Sequence, residues 1–242
     1  QLHPEQCRRH VGSVIDSPTE FPWKDRAPVL FWRGSASNCR APRCKMGAAD
    51  ESADAMEMCG RLAEGEYRTC IWDFASWLQM PRGRLVWLGR FVPFIDAKFV
   101  HVRGTNLMEP TLQDFLRGEG LLGDHTSIKD QLSYKYVISV DGDSAADRVY
   151  WQLFTGSVVL IPDGPWQSTA ILSMLQPYVH YVPVRYDLTD LVEKLAWLQQ
   201  HDEEAEHIAR NAVQFAQRYL TCDGIIYFVD RLLRAYAKRL VD

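Results

Sequence analysis

The chain lacks any stretch near the roughly 20 consecutive apolar residues that a membrane-spanning helix needs, so no span is expected in it. No positively charged segment followed by a short apolar block opens it, and no secretory leader is visible. It starts at Gln1, and the polar run Gln1 to Arg9 reads as an unstructured end of a processed, trimmed or partial chain. Long basic runs are also missing and the formal net charge is -4, which argues against nucleic acid as a partner. Neither a CxxC nor an HxxxH pair occurs, and Cys39 and Cys44 stand five apart, so a structural zinc site has little to build on. There is no internal repeat and no low-complexity tract.

What the chain does have is enough length and apolar content, at 242 residues, for one large α/β domain or two small ones. Its six cysteines are Cys7, Cys39, Cys44, Cys59, Cys70 and Cys222, five of them in the loop-like first 70 residues. An even count in such sequence favours disulfides of a lumenal protein over free thiols, with the pairing unassigned. Eight Trp, ten Tyr and ten Phe suit the packing of aromatic faces against sugar C–H groups, and suit a thick core equally well.

Short, nearly continuous apolar runs are what a sheet buried on both faces requires. Three such runs end in polar residues or glycine: Val29 to Trp32 before Arg33-Gly34-Ser35, Tyr136 to Val140 before Asp141-Gly142, and Ser157 to Ile161 before Pro162-Asp163-Gly164. Val179 to Val184 forms a fourth. Between and after them lie helical patterns: Ser144 to Phe154; a face of Leu188, Leu191, Val192, Leu195 and Leu198; a face of Ala205, Ile208, Ala209, Ala212, Phe215 and Tyr219 behind the acidic Asp202-Glu203-Glu204; and a face of Val229, Leu232, Leu233 and Tyr236. Strands alternating with helices predict a parallel, doubly wound α/β sheet. Residues 48–80 read as helix or loop. Residues 1–20 are expected to be an N-terminal segment, disordered or the remnant of a preceding lobe, and 21–242 a Rossmann-like domain.

Ligands of open parallel sheets sit beyond the carboxyl ends of the strands, so the residues there are the candidates. Arg33 offers a planar fork of donors suited to phosphate oxygens, Gly34 a close backbone approach and Ser35 a hydroxyl. Asp141-Gly142-Asp143-Ser144 then leads into a helix carrying Arg148, whose N-terminal N–H groups and dipole add to the arginine's charge. Each has a plainer reading: Arg33 as a strand-closing surface residue, Arg148 as an ion-pair partner, Asp141 as a helix cap, and His180 as a packed strand histidine. Asp141-Gly142-Asp143 is also an Asp-x-Asp, a pattern that can hold a divalent metal against a diphosphate. Spacing alone supports an anion-binding α/β domain.

The segment Phe21-Pro22-Trp23 through Val29-Leu30-Phe31-Trp32-Arg33-Gly34-Ser35 resembles the strand that enters an Arg-Gly-Ser turn in glycosyltransferase family 90. Further motifs follow in the family's order: Arg84-Leu85-Val86 with Asp96-Ala97-Lys98-Phe99; Tyr134-Lys135-Tyr136 through Asp141-Gly142, Ala145, Ala146 and Arg148; Gly156-Ser157 with Trp166; and Gln176-Pro177-Tyr178-Val179-His180-Tyr181-Val182-Pro183-Val184 with Asp187-Leu188. The resemblance covers roughly residues 21–240. It implies a GT-B-type fold with Rossmann-like lobes, this chain being mainly the C-terminal, nucleotide-sugar-binding one. It further implies inverting, metal-independent transfer of glucose or xylose from a UDP-sugar to a protein serine or glycan hydroxyl, in the lumen of the endoplasmic reticulum or Golgi. The UDP-sugar is donor substrate rather than cofactor, and no cofactor or metal is expected. Arg33 and Arg148 would hold the diphosphate, and Gly34, Ser35, Asp141, Gly142, Ser144, Ala145 and Ala146 would line the donor pocket. The family's general base belongs to a lobe preceding the Arg-Gly-Ser strand; with 32 residues before Arg33, no catalytic residue is assigned. Two alternatives stand beside this: a UDP-sugar-binding protein or fragment without a catalytic base, and a metal-dependent transferase using Asp141 and Asp143.

Overall fold

A computed structural model describes residues 17–36, 78, 80–101, 110–142, 145–164 and 172–239. The apolar runs assemble into one sheet of β1 (Ala27–Ser35), β2 (Ile95–His101), β3 (Tyr134–Ile138), β4 (Val158–Pro162) and β5 (Val182–Val184). Its order is β2-β1-β3-β4-β5 and every pairing is parallel. The three inner strands bury consecutive residues, Leu30-Phe31-Trp32, Tyr136-Val137-Ile138 and Val158-Val159-Leu160, all at 2% exposure or less. Both faces are therefore covered, which is why these strands read as unbroken apolar runs.

β2 escapes a search for such runs because it is an edge strand. Ile95, Ala97 and Phe99 are buried while Asp96 and Lys98 between them are half-buried, a period-two pattern. The fourth apolar run is shortened for a different reason. Only Val182–Val184 pairs with β4, because Tyr178 has φ 59° and its N–H donates to the Tyr181 carbonyl at 2.7 Å, closing a turn before the strand.

The described helices are α1 (Ser17–Glu20), α2 (Pro81–Phe91), α3 (Pro110–Gly118), α4 (Ile128–Gln131), α5 (Arg148–Gln152), α6 (Leu191–Gln200), α7 (Asp202–Tyr219) and α8 (Cys222–Arg239), of which α2, α6 and α7 contact strands of the sheet and α8 lies against α7. The helix expected from Ser144 is cut to α5. The Asp141 carboxylate accepts the Ala146 N–H at 2.9 Å, so that amide is tied to the loop rather than to a helix. In α6, Leu191, Leu195 and Leu198 are fully buried, but Val192 is 36% exposed and Leu188 precedes the helix with φ 58°. In α7, the acidic first turn matches the positive helix end. Ala205, Ile208 and Ala209 pack with Trp32 and Tyr136, whereas Ala212, Phe215 and Ala216 pack with Val137 and Val159. One helix thus serves the cores on both sides of the sheet. α8 forms as its spacing predicts, yet Val229, Leu232, Leu233 and Tyr236 are 43–61% exposed.

A buried arginine fastens the entrance of β1. Arg26 donates to the Phe21 carbonyl at 2.8 Å, to Ser157 Oγ at 2.9 Å and to the Thr155 carbonyl at 2.8 Å, and burial lowers its pKa to about 10. Residues 17–20, assigned from sequence to a loose N-terminal segment, form the turn α1. Cys222 is a free thiol; Cys7, Cys39, Cys44, Cys59 and Cys70, on which the disulfide expectation rests, lie outside the described residues, as does most of the 48–80 stretch. No described helix is long and apolar enough to cross a membrane.

Candidate functional site

The strand order places a switch point between β1 and β3: the chain leaves β1 toward β2 on one side and returns to β3 on the other. At such a point the connections diverge and open a crevice at the carboxyl ends of the two strands. Arg33-Gly34-Ser35 closes β1 there and Asp141-Gly142 follows β3, so the two sequence-derived clusters do meet.

Arg148 is the first residue of α5, and its Nη1 donates to the Arg33 carbonyl at 2.9 Å. Its guanidinium carbon lies 5.6 Å from the centre of the Trp32 ring. Burial pulls its pKa down, with the charge of Asp147 opposing. No described carboxylate forms an ion pair with it, and its other N–H groups have no partner among the described residues. A desolvated cation in that state is costly until an anion completes it.

Arg33 does something else. Its guanidinium turns back along the sheet to Asp96, with Nη1 at 2.8 Å from Oδ1 and Nη2 at 2.9 Å from Oδ2, and lies 4.4 Å over the Phe31 ring. Asp96 sits opposite Phe31 in the β1–β2 register, two residues upstream of Arg33. The fork expected at the strand end is therefore occupied by a bidentate carboxylate, and it is the Arg33 carbonyl that faces Arg148.

A second arginine, which sequence reading missed, stands at the crevice beside Arg148, engaged with the strand ends rather than open. Arg82, at 6% exposure, sits in the first turn of α2 and reaches the ends of both strands. It donates to the Val140 carbonyl at 3.0 Å, the Asp141 carbonyl at 3.0 Å, the Ser35 carbonyl at 3.0 Å and Ser35 Oγ at 3.4 Å. Its guanidinium carbon is 5.7 Å from the Trp32 ring centre, so Arg82 and Arg148 share one indole. One signal was available: Pro81 marks a helix start, and an arginine immediately after it sits at the positive end of the helix dipole, where it is disfavoured unless acceptors surround it.

The remaining candidates fall out individually. A Cβ on Gly34 would stand 2.5 Å from Cζ2 of Trp32, so the glycine leaves room for the indole that floors the site. Asp141 is half-buried; burial raises its pKa, while the Ala146 N–H and the nearby Arg82 charge act the other way. A Cβ on Gly164 would come within 2.8 Å of Asp141 Oδ2, which brings the exit of β4 against the same carboxylate. Gly142 is buried, Ala146 half-buried and Ala145 exposed. Asp143 and Ser144 lie outside the described residues. His180 lies elsewhere, before β5: its Nδ1 accepts the Gln176 N–H at 3.0 Å and its ring lies 5.1 Å from that of Phe215, as a packed histidine does.

Residues 96–241 match the model of a family described as Glycosyl transferase family 90. Protein O-glucosyltransferase 2 of Danio rerio is 42% identical over 119 residues, covering 49% of this chain and 24% of that protein. Uncharacterized protein 179R of Invertebrate iridescent virus 6 is 35% identical over 236 residues, 95% of this chain but 18% of that protein. The crystal structure of TarM aligns over 62% of this chain and 31% of TarM, at 11% identity and a TM-score of 0.44. The chain thus spans no more than about a quarter of those curated relatives. The family model spans more than half of the chain, from the strand that pairs Arg33 through the switch point to the last helix, and the chain belongs to glycosyl transferase family 90.

Proposed function

We propose that this chain is the donor-binding part of a glycosyltransferase of GT-B architecture that transfers glucose or xylose from a UDP-sugar, with inversion, to a protein serine or a glycan hydroxyl. The observation that carries the reading is Arg148, a desolvated guanidinium at the β1–β3 switch point whose N–H groups other than the one bound to the Arg33 carbonyl have no partner among the described residues, beside Arg82 on the same indole. A nucleoside diphosphate supplies the charge that this arrangement lacks, and in the transition state the leaving UDP carries still more, so the arginines stabilise it most where the bond breaks. The described residues give no general base, and the acceptor's proton is taken by a group outside them.

The proposed site needs no metal, because two guanidinium groups already converge on it. Asp141, one half of the Asp-x-Asp, is engaged by the Ala146 amide through Oδ1, which disfavours the metal-dependent alternative. A lumenal location in the secretory pathway follows from the same reading and rests on the family.

Calorimetric titration with UDP, with and without EDTA, tests it. Saturable binding unaffected by chelator is expected. Arg148→Ala should weaken it by about 1.5–3 kcal/mol, the range for a hydrogen bond to a charged group, or roughly 10- to 150-fold. Wild-type affinity in that variant removes Arg148 from the site, and affinity that rises with manganese revives the metal reading. Donor binding without transfer by the full-length gene product would point to a binding protein instead.

A further inference from the structure

A second groove, of about 360 Å³, lies at the opposite end of the sheet, between the turn that precedes β5 and the C-terminal half of α7. Its lining includes Gln176 and His180 from the turn, and Asn211, Gln214, Phe215 and Arg218 from the helix. The helical residues recur at spacings of three and four, so they form one stripe. Phe215 is 5% exposed and forms the floor, with its ring 5.1 Å from that of His180 and 5.0 Å from that of Tyr219. Because Nδ1 of His180 accepts the Gln176 amide proton, the neutral ring carries its own proton on Nε2 and is a donor there. Among the described residues, the side-chain amides of Asn211 and Gln214 have no hydrogen-bond partner, and the Arg218 guanidinium has only a ring contact with Tyr219, 5.2 Å away.

The chemistry of the lining selects a ligand class. Among the described lining residues there is no carboxylate for a cation to pair with. The groove sits against the last turns of α7, where the negative end of the helix dipole opposes an anion and partly offsets Arg218. Amides that both donate and accept, lining one groove with the apolar Met174, Val179 and Phe215, match a molecule whose hydroxyls do the same and whose C–H faces are apolar. The turn that carries Gln176 and His180 is itself held in an unusual conformation, with Tyr178 left-handed at φ 59°, a cost that ordinary strand entry does not require. We propose that this groove is a second saccharide site, for a neutral mono- or oligosaccharide, separate from the nucleotide site at the carboxyl ends of β1 and β3.

Saturation-transfer NMR of the whole chain with maltotriose and with xylotriose, each with and without saturating UDP, tests the proposal; the choice of these two sugars rests on the proposed donor. Saturable transfer that persists in the presence of UDP is expected. Asn211→Ala and Arg218→Ala should each weaken it about tenfold, the loss expected for one or two hydrogen bonds, while circular dichroism and UDP affinity stay unchanged. The proposal is overturned if neither trisaccharide binds, if UDP displaces both, if both variants bind as the wild type does, or if inorganic sulfate displaces the sugar from the groove. UDP binding by the wild-type chain is read in the same samples, so failure of the nucleotide reading shows separately.

Discussion

At the scale of single residues, the site depends on space as much as on charge. Gly34 is required because the Trp32 indole fills the volume that a side chain would take, 2.5 Å from the position of a Cβ. Gly34→Ala should therefore cost about 1–3 kcal/mol, the range for overpacking, and lower UDP affinity by moving the ring on which Arg82 and Arg148 lie. A urea unfolding midpoint equal to that of the wild type would show that the indole gives way freely. Asp141 makes a pH-dependent contribution. Its folded pKa is raised by burial, so the stability tied to its protonated form is complete below the ordinary carboxylate value of about 3.9 and is lost as pH rises through the folded value. Asp141→Asn should keep the bond from Ala146 and remove that loss. Stability measured from acid toward neutral pH should then fall more steeply in the wild type than in the variant, and parallel profiles would contradict the assignment.

At the scale of elements, amphipathic spacing tells which residues share a face but not whether the face is covered. α6 and α8 both show a clear apolar stripe. In α6 it is buried, with Leu195 at 0% exposure, while in α8 Leu233 is 61% exposed. Leu195→Ala should thus destabilise by about 2–5 kcal/mol, through lost transfer energy and the cavity left behind, whereas Leu233→Ser should stay within about 0.5 kcal/mol of wild type. Thermal unfolding of the two variants side by side checks the contrast; a large loss from Leu233→Ser would mean that the stripe is covered in solution. The same limit applies to α5. Apolar spacing runs from Ser144 to Phe154, but the hydrogen bond from Ala146 to Asp141 competes for the backbone and delays the helix to Arg148.

At the scale of the whole molecule, the crevice is made by connections far apart in sequence. Arg82 joins Ser35, 47 residues before it, to Val140, 58 residues after it. Replacing it should loosen both strand ends together. Arg82→Met, which keeps much of the stem and removes the donors, should cost about 1–3 kcal/mol by taking the guanidinium donors from the buried Val140 carbonyl. Hydrogen exchange should then speed up at the ends of both β1 and β3. Faster exchange at one strand alone would contradict a shared clamp.

The order of apolar runs and their glycine or polar endings already determined a parallel α/β sheet, because a strand buried on both faces has no other way to read. They also determined that residues following β1 and β3 line the crevice, since ligands of such sheets gather at carboxyl ends. The place of Arg148 at the switch point was legible for that reason. Which arginine stands beside it was not: Arg33 had the right position in sequence, but the register of β1 against β2 puts Asp96 within reach of its guanidinium and draws it away. Arg82 arrives from a helix whose approach no local pattern records. Side-chain direction at a strand end is set by the neighbouring strand and the covering helix, and both are fixed only when the chain has folded.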